Sequence, residues 1–143
     1  MGYKHDKIKE EVLNHFKDYQ IVYLATAEEN QPRVRPVTLL YLDKKFWITT
    51  GTDNAKVKQI RTNPQMEFCL LIDEQKKQGY IRGSGMAKII QDLKIKTEIA
   101  EKCDFFSSYF KSPDDPNYTL LEMQLADIEY LRPGEMYAHK FNL

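Results

Sequence analysis

Three polar interruptions decide most of what this chain can become: "EENQP" at 28–32, "DKK" at 43–45 and "DEQKKQ" at 73–78. Each separates two runs of strand-forming residues, and each is shorter than the dozen or so residues that a parallel crossover requires. The flanking runs must therefore lie antiparallel. "IVYLATA" (21–27), "RVRPVTLLYLD" (33–43) and "FWITT" (46–50) read as a three-strand meander. "QMEFCLLID" alternates cleanly, with Met66, Phe68, Leu70 and Ile72 on one face. Across the third interruption, "GYIRGSGMAKIIQ" puts Ile81, Ala87 and Ile89 on one face with Gly83 and Gly85. Two glycines on one strand face predict a sharp bend or a close backbone approach, as at a barrel corner. "YTLLEMQLADIEYL" resumes the alternation through Leu121, Met123 and Leu125, and "EMYAHKF" supplies a last strand.

Helical periodicity is confined to three places. Ile8, Val12, Leu13 and Phe16 predict a helix over 6–18 with Asp6 as its cap. A second begins near Asp53, carries Val57 and Ile60 inward and stops at Asn63-Pro64. A third starts on Asp92 and runs through Ile95, Ile99, Cys103, Phe106 and Phe110. Six or seven hairpin-linked strands with three helices predict a mainly β protein, an antiparallel barrel with peripheral helices. The 143 residues are expected to form one domain, 1–143, with the 6–18 helix preceding the barrel.

Charge removes several functions. Lys+Arg and Asp+Glu balance at 21 each, so no global field favours nucleic acid or an anionic membrane. No stretch has signal-peptide or transmembrane character. Cys69 and Cys103 lie far apart and match no metal-ligand spacing, which fits a reducing, cytoplasmic setting. His5, His15 and His139 are scattered, and no metal site is expected. "GSGMAK" sits within a strand and is no dinucleotide fingerprint.

Two stretches carry chemistry. "TTGTDNAKVKQIRTNP" (49–64) gathers Thr49, Thr50, Gly51, Thr52, Asn54 and Lys56 at a helix start, where unpaired N–H groups and the helix dipole suit an anion. A Thr-rich strand end before an ordinary capped helix explains it equally well. In "PRVRPV" (32–37), Arg33 and Arg35 emerge on one strand face, and Arg35 offers a fork suited to phosphate. Pro36 cannot donate to a ladder, so this is an edge or a bulge, and the backbone around Val37 and Thr38 is free to meet a planar heterocycle. An edge protected by charge and proline is the plainer account of that stretch.

Taken together, "YLATAEENQPRVRPV", "FWITTGTDNAKVKQIRTNP", "YIRGSGMAKIIQD" and "SPDDPN" resemble the pyridoxamine 5'-phosphate oxidase-like, FMN-binding split barrels, nearest to the small bacterial general-stress flavin-binding proteins. The resemblance covers roughly residues 12 to 131. It implies a six-stranded antiparallel split barrel that forms a homodimer, with FMN in clefts at the interface. It also implies Arg35, Thr50 and Lys56 as phosphate ligands, with Thr49, Thr52 and Asn54 beside them. Pro36, Val37 and Thr38 would then lie along the isoalloxazine ring. Two departures count against a true pyridoxamine 5'-phosphate oxidase. Leu40 stands where those enzymes carry a lysine, and "EYLRPGEMYAHKFNL" lacks their substrate-gripping end. The expectation is an FMN-dependent oxidoreductase of unknown small-molecule substrate, with no residue announcing itself as a general acid or base. The alternatives are a flavin carrier or sensor without turnover, and a reductase using the deazaflavin F420.

Overall fold

A computed structural model of the protein describes residues 2–143, with side chains from Asp6 onward; the side chain of His5 lies outside them. Seven strands, β1 (Tyr19–Glu28), β2 (Gln31–Leu42), β3 (Lys45–Gly51), β4 (Gln65–Glu74), β5 (Lys77–Ile90), β6 (Tyr118–Leu131) and β7 (His139–Asn142), form one antiparallel sheet. Three helices accompany them: α1 (Gly2–Leu13), α2 (Ala55–Thr62) and α3 (Leu93–Lys102). The three interruptions are two-residue hairpin loops. Glu29-Asn30, Asp43-Lys44 and Gln75-Lys76 all adopt positive φ, the backbone of a type I′ turn.

The strand order is β3-β2-β1-β4-β5-β6-β7, and β3 also pairs with β6, so six strands close into a ring. On one edge β6 holds β5. Its other edge is shared, with β3 along Tyr118–Met123 and β7 along Asp127–Tyr130. The expected alternation fills the ring: Met66, Phe68, Leu70 and Ile72 of β4 meet Ile81, Leu121 and Met123 in one buried cluster. The glycine strand bends as expected. Register shifts between Ser84 and Gly85, and a Cβ on Gly85 would lie 2.0 Å from the Gln124 carbonyl oxygen.

The helices depart from the periodicity in their limits. α1 ends at Leu13 instead of 18, and Asp6 lies inside it rather than at its cap. The amides of His15 and Phe16 bond to the carbonyls of Val12 and Leu13, a tightened turn that swings Phe16 down beside Val12 onto the barrel core. Glu11 fixes the helix, taking hydrogen bonds from Tyr130 and Arg132. α3 is capped by Asp92 as expected, but it ends before Cys103; Phe106 belongs to a short 3-10 helix and Phe110 follows it. Together they bury Trp47, Leu40 and Tyr118 against the outside of the barrel.

Gly85→Ala is expected to lower stability by about 3 kcal/mol, read as a fall in the urea midpoint. Gly51, whose added Cβ would meet nothing within 4 Å, is the control; its alanine variant should stay within about 0.5 kcal/mol of wild type. An unchanged midpoint for Gly85→Ala would contradict the close approach to β6.

Candidate functional site

β2 and β3 stay paired only from Leu40 to Leu42 against Lys45 to Trp47. Beyond that point β3 runs with β6, while β2 runs with β1 alone and leaves its other edge open from Gln31 to Leu39. Pro36, with no N–H to give, lies on this open stretch. The two strands diverge, and a cleft of about 860 Å³ opens between them, a size within the ~300–1,000 Å³ of small-molecule sites.

The end of the cleft is the start of α2. Asn54 caps that helix, its side-chain oxygen accepting from the Lys56 amide at 3.4 Å, while Asp53 stays exposed. The first turn contains no acidic residue, so nothing in it offsets the positive end of the helix. Lys56 adds a full charge there. It is only 7% exposed, and its ammonium donates to the Thr50 hydroxyl at 2.7 Å. Burial first, and the nearby Arg35 second, push its pKa down to about 8.

Arg35 is held entirely by neutral acceptors. Its Nη1 donates to the Thr26 hydroxyl at 2.8 Å and to the Leu24 carbonyl at 3.3 Å, and its Nη2 donates to Gln59 Oε1 at 2.6 Å. Burial lowers its pKa. No carboxylate lies within ion-pair distance of Arg35 or Lys56 among the described residues. Arg33, by contrast, is paired with Glu28 at 3.2 Å.

Of the nine sequence-predicted residues, Pro36, Val37, Thr38, Thr49, Thr50, Asn54 and Lys56 line the cleft. Arg35 and Thr52 do not line it. Arg35 is near enough to depress the Lys56 pKa. Thr52 turns away, its hydroxyl bonded to the Pro116 carbonyl at 2.7 Å and to Thr119 at 2.9 Å, and so clips the 111–117 loop to the helix start. Thr49 lies beside the buried Cys103 thiol, whose pKa burial raises.

The rest of the lining escaped sequence reasoning. Tyr19 and Ile21 come from β1, and Phe105, Tyr109 and Phe110 from the chain after α3. Tyr19, Phe105 and Tyr109 form an edge-to-face series with centroids 6.1 and 6.3 Å apart. Helical spacing picks out Phe106 and Phe110; with the helix ending before Cys103, Phe105 and Tyr109 also reach the cleft, Phe105 half-buried and Tyr109 exposed. Gln59 and Thr26, which hold Arg35, carried no signal beyond their polarity. Among the described residues no carboxylate, histidine or cysteine lines the cleft. His15 and His139 lie elsewhere, contacting Tyr130 and Arg132.

The split antiparallel ring is shared with known proteins. The model of the family "Pyridoxamine 5'-phosphate oxidase" matches residues 8–132. The chain belongs to the pyridoxamine 5'-phosphate oxidase family. It is similar to General stress protein 26 of Bacillus subtilis (strain 168), 28% identical over 130 residues that cover 90% of this chain and 91% of that protein. In fold it is similar to a NimC/NimA family protein from Clostridium acetobutylicum, with TM-score 0.77, 24% identity, and coverage of 94% and 91% of the two chains. It also shares its fold with a heme-binding protein from Mycobacterium smegmatis, with TM-score 0.73 and 10% identity, covering 87% of this chain and 53% of that one. Membership of the pyridoxamine 5'-phosphate oxidase family therefore fixes the barrel, and the cleft's own chemistry must choose the ligand.

That chemistry has a measurable consequence in the unliganded protein. Depression of Lys56 from the ordinary 10.5 to about 8 costs about 3 kcal/mol of stability wherever the lysine is charged in both states. The cost is complete below pH 8 and fades between pH 8 and 10.5, where the unfolded chain binds the extra proton. Lys56→Met should therefore stabilise the unliganded protein by about 2 kcal/mol at pH 7, with the advantage shrinking at pH 9.5. Denaturant midpoints of both proteins at both pH values check this; a less stable Met variant at pH 7 would show that the lysine serves the fold.

Proposed function

We propose that the protein binds FMN in the cleft between β2 and β3. The observation that carries this reading is a buried lysine at the end of an apolar-walled cleft with an arginine close behind the lining, neither of them paired with a carboxylate among the described residues. A buried charge without a partner is expensive, and a dianionic phosphate on the α2 amides, Thr50 and Lys56 would offset it. Arg35 would stand behind as a second positive charge. Val37 and Thr38, on the open edge of β2, would meet the polar rim of the isoalloxazine ring. Tyr19, Phe105 and Tyr109 supply flat apolar surface opposite. When bound, a flavin supplies hydride and single-electron transfer by its own chemistry. The residues here hold and orient it and keep water from its ring.

Two readings of the bound state follow. One is an oxidoreductase acting on a small molecule. The other is a carrier or sensor, and it is favoured by the absence of any carboxylate, histidine or cysteine from the lining. Steady-state NAD(P)H oxidation by the flavin-loaded protein with an added acceptor separates them. Conversion of pyridoxamine 5'-phosphate is not expected. Leu40, at the position of the enzymes' lysine, is buried under Trp47 and α3. Arg132 of "LRPG" is committed to Glu11 and Glu135.

We also infer a homodimer. Tyr19, Ile21 and Tyr23 stand outward on β1, with Val34 and Leu71 exposed on the neighbouring strands. A contiguous apolar face of this kind marks an interface, and Tyr19 and Ile21 carry it to the cleft. A reducing cytoplasm suits the free Cys69 and Cys103. No helix among the described residues is long and apolar enough to cross a membrane.

Lys56→Ala and Thr50→Ala should each weaken FMN binding by about tenfold or more in a fluorescence titration, with riboflavin affinity unmoved. Unchanged FMN affinity in Lys56→Ala would overturn the phosphate assignment, and a chromophore absorbing at shorter wavelength than a flavin would point to F420. Ile21→Arg should shift the protein from dimer to monomer in sedimentation velocity and lower FMN affinity with it; a dimer that persists places the interface elsewhere.

A further inference from the structure

Gln59 and Thr26 form a closed ring of hydrogen bonds with Arg35. The Arg35 Nη1 donates to the Thr26 hydroxyl at 2.8 Å, that hydroxyl donates to Gln59 Oε1 at 2.5 Å, and the same oxygen accepts from Arg35 Nη2 at 2.6 Å. The three side chains come from β2, β1 and α2, and Thr26 and Gln59 are both buried. An arginine has only donors, so the amide must present its oxygen to the guanidinium.

Arginines withdrawn from water, as the half-buried Arg35 is, are ordinarily matched with a carboxylate, which forks onto the guanidinium and spends its charge. Here two neutral acceptors replace it. They fix the guanidinium in two directions, and Gln59 ties it to the helix whose first turn carries Lys56. We propose that Gln59 and Thr26 are positioning residues that hold Arg35 in place with its charge unspent, so that the site selects a phosphate monoester dianion over an uncharged ligand. The inference rests on the FMN reading above and assigns a role to two residues outside the cleft.

A purely structural clamp and a charge-sparing one respond oppositely to the same substitution. Gln59→Glu keeps shape and acceptor geometry and strengthens the bond to Arg35, so a structural clamp would be improved by it. A charge-sparing clamp would lose its purpose. The measurement is the ratio of riboflavin to FMN dissociation constants, titrated on the unliganded full chain, together with the thermal midpoint. Gln59→Glu is expected to reduce that ratio about tenfold or more, with riboflavin affinity unchanged and the midpoint equal to or above that of wild type. Thr26→Val should reduce the ratio and Thr26→Ser should restore it. A wild-type ratio retained by both Gln59→Glu and Thr26→Val would overturn the positioning role while leaving the FMN reading intact. Equal affinity of the wild type for riboflavin and FMN would overturn the phosphate site itself, and the positioning role with it.

Discussion

The parting of β2 from β3 is the constraint on which the rest depends. A closed barrel offers no open strand edge and no room between neighbouring strands. This ring keeps its closure because β6 holds the far edge of β3 from Phe46 to Gly51. On the near edge β2 pairs over only three residues, which frees the edge of β2 from Gln31 to Leu39. The same divergence of β3 from β2 carries Thr49, Thr50 and Gly51 to the opening and delivers α2 immediately behind them. Cleft, open backbone edge and helix start are therefore one geometric event. Pro36 suits it, since proline is tolerated on a strand that has a ladder on one edge only.

The electrostatics of the opening oppose folding. Hydrophobic burial inside the ring, from Val22 and Leu24 through Phe68 to Met123, gives the domain its stability. Lys56 and Arg35 draw on that stability, being partly or fully desolvated close together with hydroxyls, an amide and a carbonyl as partners. Salt bridges elsewhere in the chain show that carboxylates were available for such positions. Glu11 takes Arg132 and Glu28 takes Arg33. Leaving this one pair uncompensated makes sense where a ligand brings the missing charge.

Much of the fold was legible because its signals are local. The three hairpin loops, the alternation of β4, the bend at Gly85 and the Asp92 cap are each decided within a few residues, and each lies where the sequence places it. Helix ends were less legible, since tertiary packing decides them. Phe16 and Phe106 continue a helical spacing yet reach the core from tightened turns. The candidate site divides in the same way. Residues contiguous with the β3–α2 junction were visible together. Gln59, Thr26 and Tyr19 were not, because their relation to Arg35 or to the cleft exists only once β1, β2 and α2 are assembled. Thr52 shows the opposite failure: its company suggested a ligand, but its hydroxyl is spent on Pro116 and Thr119.

The two ends of the cleft are built from different parts of the molecule. The cationic end is carried by β2, β3 and α2, two of which are strands of the ring itself, so its backbone cannot shift without moving the barrel, although its side chains oppose folding. The aromatic wall comes largely from Phe105, Tyr109 and Phe110, on a short segment outside the ring that follows the break at Cys103. Phe106 and Tyr118 anchor that segment to the barrel by an edge-to-face contact of 4.8 Å, while Tyr109 remains 73% exposed. Tyr109 can thus change at little expense to stability, whereas Phe105 and Phe110 also pack against the outer core. The physical division therefore ties the backbone of the cationic end to the geometry of the ring and leaves the outermost part of the aromatic wall, Tyr109, open to variation.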